Sequence, residues 1–417
     1  MKKVPDPRCA REKEHECAAM LTYLIMAYIV GRCSLRRSQK WAKSHLKKLK
    51  KHLKIKKDVA SVSTLQRLLA GIDEDAFVLV FTQWMAEMLE QVGIHIIIDG
   101  KALRGATEKI KDGNTPYILN VVDMATKLVL TQMAIDCKKN EISTIPELLE
   151  RMEINRNTVL IDAIGTQTAI MERILSSGGH YFLVVKKNNL SAYEEILGFF
   201  RMIEEQMRLD KQRDEDGYEK VKEICKFYSR CRTVEKNRER HEHREAQAYN
   251  GGTIQSRKEE VFDSIRCIGQ IRNIRIPIEK DENGDDITRD ENEFLEKGSV
   301  RKPKIRKGDG FGDDVQIYGI IADYEMTAEE MAETNRKRWV IEDNLHHVLD
   351  DVFREDRSTA VRSKNNLALI RKFAYNLIQT AIIQTGKNCG IMEMMDEFAD
   401  NWSLLEKYIF SELTPIS

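Results

Sequence analysis

Hydrophobic positions change period twice along this chain. Up to about residue 90 they recur at helical spacing. Cys17 to Val30 is apolar all round, as in a buried helix, and Gly31 is placed to end it. The run is too short to span a bilayer, and the charged REKEHE before it is unlike a signal peptide's basic start, so no targeting or membrane segment is expected. A second helix is expected from about Ser34 to Ile55, with Leu46, Leu49 and Leu53 on one face and nine lysines between Lys40 and Lys57. Ser63 is placed to cap a third helix, Thr64 to Ala70, and Asp73 a fourth carrying Phe77, Phe81 and Trp84.

The period then shortens to two. His95–Asp99 is a β-branched run, and Tyr117–Asp123 and Leu128–Ile135 follow, joined by a turn at Met124–Lys127. Next come a helix from Ser143 to Met152 with Pro146 in its first turn, a strand Thr158–Ile161, and a helix Gln167–Leu175 stopped by Gly178-Gly179. A strand Tyr181–Lys186 and a helix from Ser191 to about Leu209 complete the series. Three antiparallel strands followed by βα units predict a mixed α/β (α+β) fold, with a ribonuclease H-like mixed sheet and helices on its faces.

Between about 210 and 315 the pattern is polar and irregular. Strand-like runs appear at Glu260–Gly269 and Ile271–Glu279, and an acidic stretch, Lys280–Glu296, precedes a basic one, Lys297–Lys307. Helical spacing returns at Thr327 and runs through Glu342 toward Val352, and again from Asn365 to about Gln384. The expected organisation is an N-terminal helical, DNA-binding domain over 1–90 and a first core part over 91–209. A β-rich insertion over 210–315, a second core part over 316–388 and a helical tail over 389–417 follow. No internal repeat is visible.

Composition narrows the picture modestly. Lysine plus arginine equals aspartate plus glutamate at 67 each, so any affinity for nucleic acid must come from local basic patches. The eight cysteines lack the spacing of a zinc ribbon or a disulfide scaffold, which points to reduced thiols in the cytoplasm. Cys225, Cys231, His241 and His243 can be drawn as a zinc site, but their spacing is poor.

Three carboxylates stand out. Asp99 closes the strand-like part of HIIIDGKALRG, Asp162 lies in TVLIDAIGTQ, and Glu342 lies on NRKRWVIEDNLHHVLDDVF. Singly they read as a turn residue, a helix cap and a solvated helix residue. Jointly they can converge from two strand ends and a late helix. Such a cluster repels itself unless cations neutralise it, and hard oxygen ligands select Mg2+ or Mn2+. Two such ions about 4 Å apart suit in-line phosphodiester chemistry.

The segments IDGKALRG, KKNEISTIPELL, IDAIGTQ, YFLVVKKNN and RWVIEDNLHHVLDDVFRED resemble the H-repeat-associated, ISAs-type insertion-sequence transposases, a DDE type. The likeness covers Asp6 to Ile196 and Gln316 to about Ile383. Asp6-Pro7-Arg8 and Ser61–Arg67 look like that family's N-terminal helper domain, and Arg240, Glu242 and Arg244 like its R-x-E-x-R element. There are departures. Arg338-Trp339 stands for His-Trp, and Leu345-His346-His347 for Leu-His-Trp. Of the wider group's Tyr-x-x-Arg-x-x-x-Glu signature Arg338 is kept, but Asn335 replaces the tyrosine, and Leu349 stands where a later lysine is usual.

The resemblance implies a DNA transposase that nicks double-stranded DNA at the element's terminal inverted repeats and joins the freed ends to target DNA. It implies a homodimer in the DNA complex and a cytoplasmic, nucleoid-associated place. Asp99 is expected to bridge two ions, with Asp162 holding one and Glu342 the other. A related endonuclease without strand transfer and a domesticated DNA-binding protein are the alternatives; three mutually repelling carboxylates argue against the latter. For DNA, Lys47, Lys48, Lys50 and Lys51 are the best duplex contacts. Lys101 and Arg104 are candidates beside the ions, against the blander reading of a solvated loop. Lys186, Lys187 and Asn188 are candidates at a strand end. Arg338 is carried by the signature, and His346 and His347 are expected to orient the Glu342 helix or touch DNA. Asn140-Glu141 matches a family motif and can serve as a helix cap.

Overall fold

The computed structural model describes residues 1–8, 14–89, 93–107, 115–135, 141–210, 226–237, 240–251, 264–277, 279–280, 286–287 and 315–416. Expectations for Asn140, Cys225 and the basic stretch 297–307 lie outside them. The chain forms two compact units, one of residues 1–160, 173–179 and 338–417, the other of 161–172 and 180–337. Among the described residues no helix is long and apolar enough to cross a membrane.

In the first unit the helix Cys17–Ile29 is buried on every face, as its uninterrupted apolar run requires. It packs against the long helix Lys364–Thr385, which Gly386 ends at φ +64°, a left-handed conformation that glycine adopts without strain. Ser61 rather than Ser63 caps the helix Val62–Gly71, accepting from Thr64 N at 3.2 Å. Asp73 caps Glu74–Met88, accepting from Ala76 N at 2.8 Å. That helix presents Phe77, Phe81 and Trp84 to Phe373, with ring centroids 4.7 to 5.6 Å apart. Cutting Phe373 to alanine there would cost about 3–5 kcal/mol.

The helix expected from Ser34 to Ile55 is broken. It runs Leu35–Ser44 and resumes only as the turn Leu46–Leu49. His45 sits between, its ring stacked on Trp41 and Trp402 at 4.8 and 5.5 Å. Its Nδ1 lies 2.9 Å from the Trp41 carbonyl, so packing and a side-chain hydrogen bond override the local helical preference.

Strands β1 (His95–Ala102), β2 (Tyr117–Asp123), β3 (Val129–Ile135) and β4 (Thr158–Ile161) follow, in sheet order β3-β2-β1-β4. β1 and β2 are antiparallel with Asp99 opposite Asn120, and β2 and β3 are antiparallel across the expected turn. β1 runs three residues past Asp99, because Gly100, Lys101 and Ala102 continue the ladder.

The second unit holds β5 (His180–Val185), β6 (Tyr228–Asn237), β7 (Arg240–Asn250), β8 (Cys267–Pro277) and β11 (Val315–Ala322), in order β5-β11-β8-β7-β6. Two-residue strands β9 (Glu279–Lys280) and β10 (Asp286–Ile287) pair separately. The helix Leu190–Asp210 covers the larger sheet with Ile196 and Phe200; a Cβ on Gly319 would come within 2.8 Å of Ile196. The boundaries expected at 210 and 315 therefore do not mark off a body of its own. Residues on both sides of them hydrogen-bond into one sheet. Among the described residues, Cys267–Pro277 is one strand that joins parts of the two runs read there, and the pairing of β6 with β7 was not expected. Its charges pair across the strands, as in Arg230 with Glu245 and Arg244 with Glu235, both at 2.8 Å, which lets so polar a sequence form strands.

Candidate active site

Asp99 sits inside β1, and the next residue has to be small. A Cβ on Gly100 would lie 2.1 Å from the Tyr117 ring on β2. Opposite residues of an antiparallel pair share a face, so Asp99 and Asn120 project the same way. Glu342 comes from a later element. The helical run from Thr327 does not continue unbroken: Ala328–Arg338 is α-helical, Ile341–His346 is a π-helical turn, and His347–Asp351 is α-helical again. Such turns cluster at functional sites. This one sets Glu342 and His346 on one side of the backbone.

One oxygen each of Asp99 and Glu342 and one ring nitrogen of His346 lie within 4.8 Å of one another. His346 is buried, 6% exposed, with Nδ1 3.6 Å from Asp99 Oδ2 and 3.7 Å from Glu342 Oε2. Two carboxylates at this range repel by about 3 kcal/mol at an effective dielectric near 20. The imidazole beside Glu342 outweighs partial burial and holds its carboxyl below the usual glutamate range, with Lys101 and Arg104 adding to the effect. Burial, with Glu141, Asp99 and Glu342 nearby, pushes the Tyr117 phenol well up. The donor set of two carboxylates and an imidazole fits a divalent cation.

Behind this cluster lies a buried ion group. Lys101 is 7% exposed, its Nζ donating to Asp350 at 2.6 Å and lying 3.5 Å from Glu355 and 3.9 Å from Asp356. Glu355 also lies 3.6 Å from Arg371. Burial alone would raise Glu355, but Arg371, Lys372 and Lys101 hold it below the ordinary range. Lys372 donates to Gln132 at 2.5 Å, and burial pushes its ammonium down to about 8. Gly105, the last residue of the IDGKALRG segment, lets the backbone approach this group: a Cβ there would lie 2.2 Å from the Asp356 carbonyl.

Asp162 follows β4 directly and belongs to the second unit. Lys186, at the end of β5, reaches its Oδ1 at 2.9 Å and Oδ2 at 3.2 Å. Asn188 donates to the Ala163 carbonyl and the Thr166 hydroxyl to the Val184 carbonyl, each at 2.6 Å. The IDAIGTQ and YFLVVKKNN segments thus lock together and fix the Asp162 backbone.

The expected DNA contacts divide by exposure. Lys47, Lys48, Lys50, Lys51, Arg104 and Lys187 are exposed, and Lys186 is partly so. Lys101, Arg338 and His346 are buried, so as placed they do not offer their charge to a phosphate. For Lys101 the cause is the three carboxylates around it, and neither reading made from the sequence, a phosphate contact or a solvated loop, describes it. His346 lies one turn after Glu342 with Nδ1 3.7 Å from its carboxylate, and His347 is exposed and pairs with Asp351 at 3.1 Å. Asn335 is buried, its amide donating to the Tyr318 hydroxyl at 2.7 Å. The sequence reading missed Asn120, Glu355, Arg371 and Lys372. A signal existed: a lone asparagine in the apolar strand YILNVVD and a charged pair in the apolar helix LALIRKFAYNLI.

Residues 90–377 match the family described as transposase DDE domain, and residues 1–85 match its companion, DDE_Tnp_1-associated. The chain belongs to the DDE transposase family. Asp99, Asp162, Glu342 and His346 fall within the matched DDE domain. The DDE transposase relatives include YncI of Escherichia coli K12, 32% identical over 185 residues, 44% of this chain and 75% of that protein. YbfD of the same strain, named as H repeat-associated, is 30% identical over 186 residues, 44% of this chain and 74% of that protein. Both names give transposase as a provisional assignment. YncI of Escherichia coli O157:H7 is 31% identical over 186 residues, 44% of this chain, which spans about half of that relative, 48%. The piggyBac transposase in its synaptic complex with hairpin DNA overlaps at a TM-score of 0.41 and 9% identity, over 94% of this chain and 71% of that one, a likeness too slight to carry weight.

Proposed function

We propose that this chain is a metal-dependent DNA transposase that cuts at the ends of its element and transfers the freed strands into target DNA. One observation carries the reading: Asp99 and Glu342, far apart in sequence, bring carboxylate oxygens within 4.8 Å of each other inside a DDE domain. Asp162 is assigned as the third carboxylate. Its place in IDAIGTQ, a segment like those of the DDE family and inside the matched domain, supports the assignment. Two Mg2+ or Mn2+ ions held by these carboxylates would activate the attacking water or 3′-hydroxyl and stabilise the leaving oxygen. His346 and the Lys101–Glu355 group hold the Glu342 turn in place. Lys186, with Nζ 2.9 Å from Asp162 Oδ1, orients the carboxylate. The exposed lysines between Lys47 and Lys51 contact duplex backbone, and the active assembly on DNA is a homodimer.

The test is incubation of the purified chain with DNA carrying its own element's ends, with Mg2+, with Mn2+ or with chelator. Metal-dependent nicks at the ends, followed by joined products in a target plasmid, are expected. Nicks without joining would reduce the reading to an endonuclease, and intact DNA under every metal condition would overturn it.

A further inference from the structure

We infer that His346 Nδ1 is itself a metal ligand whose tautomer is set by Asn120, and that this nitrogen gives the cluster a preference for manganese(II) over magnesium. The inference rests on the reading of Asp99 and Glu342 as metal-binding carboxylates and adds to it a third donor and a choice of cation.

Asn120 lies opposite Asp99 in the β1–β2 register and is completely buried. Its Nδ2 lies 3.3 Å from His346 Nε2. An amide nitrogen can only donate, so Nε2 accepts and the ring proton sits on Nδ1, facing Asp99 and Glu342. In this arrangement the imidazole stands between the two carboxylates as a hydrogen-bearing group, relieving their repulsion. Meanwhile Asn120 Oδ1 is buried with no hydrogen-bond partner among the described residues. An idle acceptor beside a ring nitrogen is what a second tautomer needs.

A cation bound at Nδ1 uses the lone pair of that atom, so the proton leaves Nδ1 for solvent and another is taken up at Nε2. The charge of the ring is unchanged. Nε2–H then requires an acceptor, and a half-turn of the Asn120 amide brings Oδ1 to it. Metal-bound histidines ordinarily donate their second ring N–H to a fixed oxygen in this way. The resulting donor set holds two carboxylate oxygens and one imidazole nitrogen. Magnesium keeps to oxygen ligands, whereas imidazole suits the first-row transition ions, of which manganese(II) also accepts carboxylates readily.

The experiment is manganese(II) binding to the full chain, followed by electron paramagnetic resonance. The free-ion signal gives affinity, and electron spin echo modulation detects a directly bound nitrogen. The expected result is a 14N modulation in the unaltered protein that disappears in His346→Ala and His346→Gln. In both variants manganese affinity should fall about tenfold or more, while magnesium affinity, read by competition, should change less than about threefold. Asn120→Leu should also weaken manganese, and Asn120→Asp, which keeps an acceptor, should retain the nitrogen signal. Manganese bound in dependence on Asp99 and Glu342 but without nitrogen modulation would overturn this inference and leave the carboxylate site standing. Absent binding, or binding unaffected by Asp99→Asn and Glu342→Gln, would overturn both. The spectrum of the unaltered protein decides the matter even where a variant fails to fold.

Discussion

Asp99 and Asp162 carry the same sequence signal, an acid at the end of an aliphatic run, and end in opposite electrostatic settings. Asp99 faces the buried imidazole of His346, backed by the buried ions Lys101, Glu355 and Arg371. Asp162 pairs with the ammonium of Lys186, whose side chain is 42% exposed. The first setting is rigid, because Lys101, Glu355 and Arg371 are out of water and need their partners. The second is labile, because solvent screens the pair and lysine rotates freely.

That contrast can be broken by stability measurements. Glu355→Gln keeps the shape but strips Arg371 and Lys101 of their shared counter-charge, and should cost about 3–5 kcal/mol in denaturant unfolding. A loss below about 1 kcal/mol would mean the group is solvated after all. The same pair of proteins gives a pH test. Glu355 is held below the usual glutamate range, so its contribution is full above that range and is lost as pH falls through its lowered value. The stability gap between the two proteins should therefore be constant near neutrality and close in acid. A gap that widened in acid would reverse the assignment. Lys186→Ala should cost no more than about 1 kcal/mol, because its pair with Asp162 is screened. Replacing Lys47, Lys48, Lys50 and Lys51 together by alanine should leave the melting temperature nearly unchanged while flattening the salt dependence of DNA binding by up to about 3.6 in log–log slope. An unchanged slope would remove these lysines from the DNA interface.

Much of this was legible in the sequence, for physical reasons that differ by element. The strands β1 to β5 announce themselves because buried strands need apolar runs, and Asp99 and Asp162 are visible because they end such runs. The hairpin β6–β7 hid behind its own charges, which pair between strands instead of marking a solvated loop. The helix after Ser34 looked continuous because the stacking of His45 on Trp402 depends on a residue far along the chain. Lys101 looked like a phosphate contact because its carboxylate partners Asp350, Glu355 and Asp356 lie far from it in sequence. The role of Asn120 became visible only with its register opposite Asp99 and its amide against His346.

The central proposal is that Asp99, Asp162 and Glu342 are the carboxylates that cut DNA. Its most direct measurement compares Asp99→Asn, Asp162→Asn and Glu342→Gln on the same terminal-repeat DNA, scoring metal-dependent cleavage and DNA binding side by side. Each swap keeps the shape and removes one negative ligand. The account predicts that all three abolish cleavage while binding and folding persist. Cleavage surviving in the Asp162 variant alone would remove Asp162 from the proposed set, and cleavage surviving in the Asp99 or Glu342 variant would contradict the account outright.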